Sequence, residues 1–199
     1  MQKLAAKTKK KNAKTPAPKA SKKKAGKRKA ASHDQPYPPK LIDFMLSGWK
    51  SPSGALPKPI KNAEAHRARR ANLSKAFKGE VLVIPTGHEK VRANDTNYRF
   101  RPGTEFFYLT GNDEADCVLV LKPVKGGHEH VLYVEPNPGR SDSTFFTDRH
   151  KGELWVGPRL GVPESQQRFG IDRCAPISEL RDYLKKVSKS GKKFRVLRG

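Results

Sequence analysis

Cysteine is scarce in this sequence, with only Cys117 and Cys174 among 199 residues. Two thiols so far apart exclude a disulfide framework and the paired spacing of a structural zinc site. Cys117 heads an apolar run, which predicts a buried free thiol and suits a reducing cytoplasm. Long apolar runs are missing as well. No stretch approaches the roughly 18 residues that a membrane span needs. The cationic N-terminus is followed by no apolar segment, so it does not read as a secretory signal. It also lacks the Arg bias and amphipathic spacing of a transit peptide, which leaves a cytoplasmic location as the expectation. There is no Gly-rich phosphate loop and no His-Glu-x-x-His. His66, His88 and His150 stand apart from any Ser or Cys nucleophile context.

Acidic residues are nearly absent from the two ends. Residues 1–40 hold 14 Lys and Arg against Asp34 alone, and the last fifteen residues hold seven basic groups and no acid. Residues 41–184 carry 21 basic and 18 acidic side chains, an ordinary globular balance. Most of the net charge of +23 therefore belongs to the ends, and a basic total does not make the middle a nucleic-acid binder. Residues 1–32 are almost entirely Lys, Ala, Ser, Thr and Pro and cannot bury enough surface to offset ordering. Residues 1–40 are thus expected to be a disordered Lys-rich tail. Its functional reading is nonspecific contact with polyanions through residues 1–32; the plainer one is a solubility tail. Residues 41–62 read as a Pro-rich linker, in which Leu41–Leu46 can form a short apolar turn of helix before Gly48 and Trp49. Pro52, Pro57 and Pro59 then forbid regular structure. The patch of Leu41, Phe44, Met45 and Trp49 is expected to lie against the domain.

From residue 63 the pattern is α/β. Ala63–Lys78 is a helix stopped by Gly79, with Leu73, Ala76 and Phe77 on one face and Arg67, Arg69 and Arg70 as a solvated face. Val81–Ile84 ends at Pro85 and lacks polar alternation, which predicts a strand covered on both sides. Cys117–Leu121 and Val131–Val134 repeat it, and Gly126-Gly127 between them predicts an antiparallel hairpin. A short helix is expected over Pro163–Phe169. A second begins with Ser178 as N-cap and carries the stripe Ile177, Leu180, Tyr183, Leu184 and Val187. Phe194–Leu197 begins another strand close to Gly199.

The densest stretch runs from Arg92 to Leu121. It holds an Asn94-Asp95 loop, Tyr98-Arg99-Phe100-Arg101, and the aromatic cluster Phe106-Phe107-Tyr108-Leu109 ending at Thr110-Gly111. The acidic turn Asn112–Asp116 and the run Cys117–Leu121 complete it. A second segment follows at Gly152-Glu153-Leu154-Trp155-Val156-Gly157-Pro158-Arg159-Leu160-Gly161. Together they resemble the N-terminal domain of Xaa-Pro aminopeptidases (aminopeptidase P, in the creatinase and prolidase group). That family shows a loop Asp, Tyr-x-Phe-Arg, an aromatic run ending Leu-Thr-Gly, and Glu-x-Trp-x-Gly-x-Arg-x-Gly. The resemblance covers roughly residues 63–199 and implies a mixed β-sheet flanked by helices, incomplete at its C-terminus.

The same resemblance implies an activity: hydrolysis of the bond between an N-terminal residue and a following proline. Two divalent ions, usually manganese, would be held by two Asp, one His and two Glu of a catalytic domain that would follow Gly199. No metal ligand is then assignable in this chain, which would be inactive alone. It also implies a homo-oligomer in which Trp155 lines a neighbour's substrate pocket, with Asp95 and Arg159 in the same interface. From the residues alone, Trp155 could instead be a core tryptophan beside Leu154 and Val156, and Asp95 and Arg159 a local ion pair. His128-Glu129-His130 puts two imidazoles on one strand face but reads as an exposed hairpin edge without a third ligand. Asp113, Glu114 and Asp116 read as a solvated turn. The alternative readings are a non-catalytic assembly or nucleic-acid-associated module that uses the tail, and a regulatory homologue without metal.

Overall fold

The computed structural model describes residues 37–49, 54–93 and 96–197. The tail through residue 36, and Asp95, lie outside the described residues. In chain order the elements are α1 (Pro39–Leu46), α2 (Ala63–Ala76), β1 (Val81–Pro85), β2 (Val91–Ala93), β3 (Thr96–Asn97) and α3 (Thr104–Thr110). They continue with β4 (Val118–Val124), β5 (Gly127–Val134), α4 (Thr144–Thr147), α5 (Glu153–Val156), α6 (Val162–Phe169), β6 (Arg173–Pro176), α7 (Leu180–Lys189) and β7 (Phe194–Val196). Residues 54–60, with Pro57 and Pro59, form neither helix nor strand.

The main sheet has the order β6-β5-β4-β1-β7. The pairs β1–β4 and β4–β5 are antiparallel, whereas β1–β7 and β5–β6 are parallel, so the sheet is mixed. β4 and β5 are the expected hairpin, with Val124 opposite Gly127 and Gly126 at φ +92° in the turn. Successive side chains of β1 point to opposite faces. Leu82 and Ile84 join Phe106, Leu109, Leu119, Leu121, Leu132 and Phe169 on one side. Val81 and Val83 join Val120, Val131, Tyr133 and Val187 on the other. Both faces are buried, which is why these strands read as unbroken apolar runs. Leu180, Tyr183 and Leu184 of α7 cover the second face. Ser178 lies within a 3-10 turn, Ile177–Glu179, and makes no N-cap bond; the apolar stripe still docks because α7 starts at Leu180.

The aromatic run at 106–109 is helical. α3 closes at Gly111, which has φ +69° and passes so near α2 that a Cβ would meet Ile60 Cδ1 at 2.4 Å and His66 Nε2 at 2.7 Å. A helix C-terminus leaves carbonyls without partners, and α2 supplies them. His66 Nδ1 lies 2.8 Å from the Tyr108 carbonyl, Arg69 donates to the same oxygen at 3.1 Å, and Arg70 donates to the Leu109 carbonyl at 2.8 Å. The second arm of Arg70 donates to the carbonyl of Gly170, the C-cap of α6, at 2.7 Å. Arg70 is thus fully buried, not part of a solvated face as its neighbours suggest; Arg67 is the exposed one. Two negative helix ends stand in for a carboxylate partner. Burial pulls its pKa down to about 10, so it stays charged at neutral pH.

His128 and His130 are buried as well, which corrects the exposed-edge expectation. His128 Nε2 donates to the Glu80 carbonyl at 2.8 Å, and His130 Nε2 lies 3.1 Å from the Ser74 hydroxyl. At the open edge, Phe194 and Val196 of β7 are half-exposed, and Glu80 pairs with Lys193 and Arg195 beside them. Among the described residues no helix is long and apolar enough to cross a membrane.

Candidate functional site

The Gly152–Gly161 segment projects from the end of the domain, and its local chemistry explains its shape. Gly152 is buried where the chain crosses the C-terminus of α4. A Cβ there would come within 2.4 Å of the Thr144 carbonyl, 2.6 Å of that of Asp148 and 2.7 Å of that of Phe145. Only glycine permits this approach, and its N–H donates to the Asp148 carbonyl at 2.8 Å. α5 then makes one turn and stops at Gly157, φ +84°. A single turn is marginal by itself. Polar bonds secure it: Glu153 Oε1 accepts from the Arg159 backbone N–H and from Asn137 Nδ2, each at 2.8 Å. Asn137 Nδ2 also reaches the Arg159 carbonyl at 2.8 Å, while Asn137 Oδ1 accepts from the Gly139 N–H. The Arg159 guanidinium donates to the Lys151 carbonyl at 2.7 Å, and Lys151 pairs with Glu135 at 3.0 Å. These groups line a cleft of about 260 Å³.

This framework displays apolar side chains. Leu154, Trp155 and Val156 are 57, 49 and 47 % exposed. Trp155 is therefore not a core residue, which sets aside the plainer reading of it. Its indole is nevertheless fixed, because Nε1 donates to the Phe146 carbonyl at 2.7 Å and Arg149 stands over the ring at 5.6 Å. Arg159 serves the loop backbone through Lys151 rather than projecting freely. Asp95, the third residue expected here, lies outside the described residues.

The acidic turn contributes a member that spacing did not single out. Glu114 Oε1 accepts from the backbone N–H of Leu160 at 3.4 Å, and burial pushes its carboxyl pKa up. Glu114 is a desolvated strut under the loop rather than part of a solvated turn. Asp113 does stay exposed. Its signal in the sequence was weak, since three acids in a row of turn residues look alike. Thiol chemistry is not available to this region: Cys117 and Cys174 are buried and free, with pKa values pushed up to about 12 by desolvation.

Among the described residues no group of three His, Cys, Asp or Glu side chains is placed to hold an ion. His128 and His130 each spend Nε2 on a protein partner, so the pair does not form a ligand set. The Ser74–His130–Asp172 series has the order of a nucleophilic relay, with His130 Nδ1 2.9 Å from Asp172 Oδ2. However, Ser74 is buried in the last turn of α2, and the same carboxylate oxygen accepts the His130 backbone N–H at 2.9 Å. It ties α2 to β5 and to the residue before β6.

The mixed sheet flanked by helices agrees with comparison to known proteins. The sequence model of the aminopeptidase P N-terminal domain matches residues 66–197. The chain belongs to that family. It is 41% identical over 159 residues to Xaa-Pro aminopeptidase 1 of Streptomyces coelicolor, which covers 80% of this chain and 31% of that relative. The chain thus spans about a third of the relative's length. Among solved structures, the low-pH form of Escherichia coli aminopeptidase P superposes with a TM-score of 0.52 at 28% identity, over 63% of this chain and 26% of that one. A Bacillus anthracis protein gives 0.58 at 19% identity over 69% and 31%, a likeness of fold alone.

Proposed function

We propose that this chain is the N-terminal, accessory part of a manganese-dependent Xaa-Pro aminopeptidase, a hydrolase that removes the N-terminal residue preceding proline. Residues 1–40 form its tail, 41–62 a linker, and 63–199 the domain that makes subunit contacts and covers a neighbour's substrate pocket. The observation that carries this reading is Trp155: half-exposed, flanked by exposed Leu154 and Val156, yet held through its indole N–H. A rigid, displayed aromatic anchor is the residue type that dominates protein–protein and protein–ligand contacts. In this reading Trp155 of one subunit meets the peptide bound to the next, and Arg159 and Asp95 hold the contact. Residues outside this chain would hold two manganese ions, and the chemistry these would supply is polarisation of the scissile carbonyl and a hydroxide at neutral pH. The work of this chain is to bury apolar area against the substrate and keep water from the site.

The test mixes two variants of the full-length enzyme, one impaired by Trp155→Ala and the other inactivated by a disabled metal site. Mixed oligomers regain part of the activity if Trp155 works in trans. No rescue, with a large loss of thermal stability in the Trp155→Ala protein, overturns the reading. The charge of the tail favours a second, additional role in nonspecific polyanion contact. Deleting residues 1–32 then abolishes any shift of nucleic acid, and a chain starting at Ala63 that still shifts it would locate the contact elsewhere.

A further inference from the structure

The sequence has two tryptophans, Trp49 and Trp155, and both converge on α4. The ring of Trp49 lies 6.3 Å from that of Phe146. Phe145 packs edge-on against Phe146 at 4.9 Å. The Arg140 guanidinium covers Trp49 at 4.3 Å and Phe145 at 5.6 Å. On the far side, the carbonyl of the same Phe146 receives the Trp155 indole N–H at 2.7 Å. Trp49 is itself tied to α1, its Nε1 donating to the Met45 carbonyl at 2.5 Å. A physical chain thus runs from α1 through Trp49 and Phe146 to Trp155.

α1 is otherwise hard to account for. It has eight residues, too few to be stable alone, and none of them is buried. Phe44 is 75 % exposed. The segment also precedes residues 66–197, the span shared with the family's sequence model. A helix that adds nothing to the core but sets one aromatic ring against α4 acts on α4.

We propose that Trp49, carried by the 37–49 segment, is a positioning residue for Trp155. α4 has four residues, of which Phe146 is the buried one. With Trp49 against it, and Arg140 holding Trp49 and Phe145, the Phe146 ring stays seated and its carbonyl stays aimed at the indole. Without them the one-turn helix frays, the carbonyl moves and Trp155 is released. The positioning follows from the contacts alone; its consequence for catalysis rests on the in-trans reading above.

The two indole N–H groups give a direct readout in the 199-residue chain labelled with 15N. Trp49→Ala leaves one indole resonance, that of Trp155, whose hydrogen exchange rises about tenfold, as expected for local opening without global unfolding. Acrylamide quenching of Trp155 increases in parallel, while the thermal midpoint followed by circular dichroism changes little. Trp49→Phe keeps the ring contact and retains most of the protection, Arg140→Gln loses part of it, and Phe44→Ala loses none. Unchanged exchange of the Trp155 indole in both Trp49→Ala and Arg140→Gln overturns the proposal. So does a loss in Trp49→Phe as large as in Trp49→Ala, because the ring contact would then not be what acts. In the metal-loaded full-length enzyme, Trp49→Ala lowers kcat/KM about 3- to 10-fold and is non-additive with Trp155→Ala. A loosened indole with unchanged kcat/KM would overturn the in-trans reading and leave the positioning standing.

Discussion

The clamp between α2 and α3 and the platform around Trp155 are built from the same parts: arginines on carbonyls, an obligatory glycine and aromatic rings. They differ in what they do with water. In the clamp, Arg70 is fully buried, and Gly111 lets α3 close against His66. On the platform, Arg159 and Gly152 fix the main chain so that Leu154, Trp155 and Val156 stay in solvent. One region spends its polar bonds on burying apolar area, the other on displaying it. Displayed apolar area that polar bonds maintain is what the proposed contact would use, since core packing has no use for it.

The largest effect expected from this contrast is at Arg70. Arg70→Met keeps much of the volume but leaves the buried Leu109 carbonyl and the part-buried Gly170 carbonyl without their donor. The cost should be about 3–5 kcal/mol, from two unmet acceptors and imperfect filling. Urea denaturation of the chain measures it. A loss below about 1 kcal/mol would show that water reaches those carbonyls and that the clamp is not buried in solution.

Gly152→Ala should come next, at about 1–3 kcal/mol, because the new methyl meets three carbonyls and the loop must shift. The damage should be local. The Trp155 indole loses its hydrogen bond while core amides keep their exchange protection. Uniform loss of protection would mean that platform and core unfold as one unit, which would erase the contrast.

Trp155→Ala should cost less than about 1 kcal/mol of stability, as for a side chain outside the core. In the full-length enzyme proposed above it should cost about 1–3 kcal/mol of transition-state stabilisation, read from kcat/KM. A stability loss of about 3–5 kcal/mol, typical of a core aromatic, would reverse the assignment.

Much of the sheet was legible because β-branched runs ended by prolines can be read locally. Val81–Ile84 and Val131–Val134 are strands for the reason their composition suggests, and Gly126 turns the hairpin as glycine does. Gly170 likewise stops α6. What was not legible depends on partners far along the chain. Arg67, Arg69 and Arg70 are indistinguishable in the sequence, and only carbonyls 39 and 100 residues away select Arg70 for burial. The parallel neighbours of the sheet, β7 beside β1 and β6 beside β5, have no local signature either. The platform was found only through a motif resemblance. The exposure of Trp155 rests on contacts closer along the chain, from Glu153, Asn137 and Arg159, that no spacing rule announces, whereas the proposed support from Trp49 rests on a ring contact with Phe146 far along the chain.

The smallest expected effect again separates the two regions, by their response to acid. His130 sits between Ser74, Asp172, Arg70 and His128. Burial, with Arg70 and His128, lowers its pKa; Asp172 opposes this, and the net direction is downward. An unfolded imidazole titrates near 6.5. Well above that value neither state binds the proton and the group does not affect stability. As pH falls below about 6.5 the unfolded chain takes up a proton that the folded one resists, so stability declines toward acid. Thermal midpoints should therefore drop between about pH 7.5 and 5.5, with a shallower slope in His130→Gln. The indole signal of Trp155 should follow only once the domain melts, since the bonds seen at the platform do not involve His130. An equal slope in the variant would move the acid sensitivity to another group. Early release of Trp155 before the core melts would instead place it on the platform.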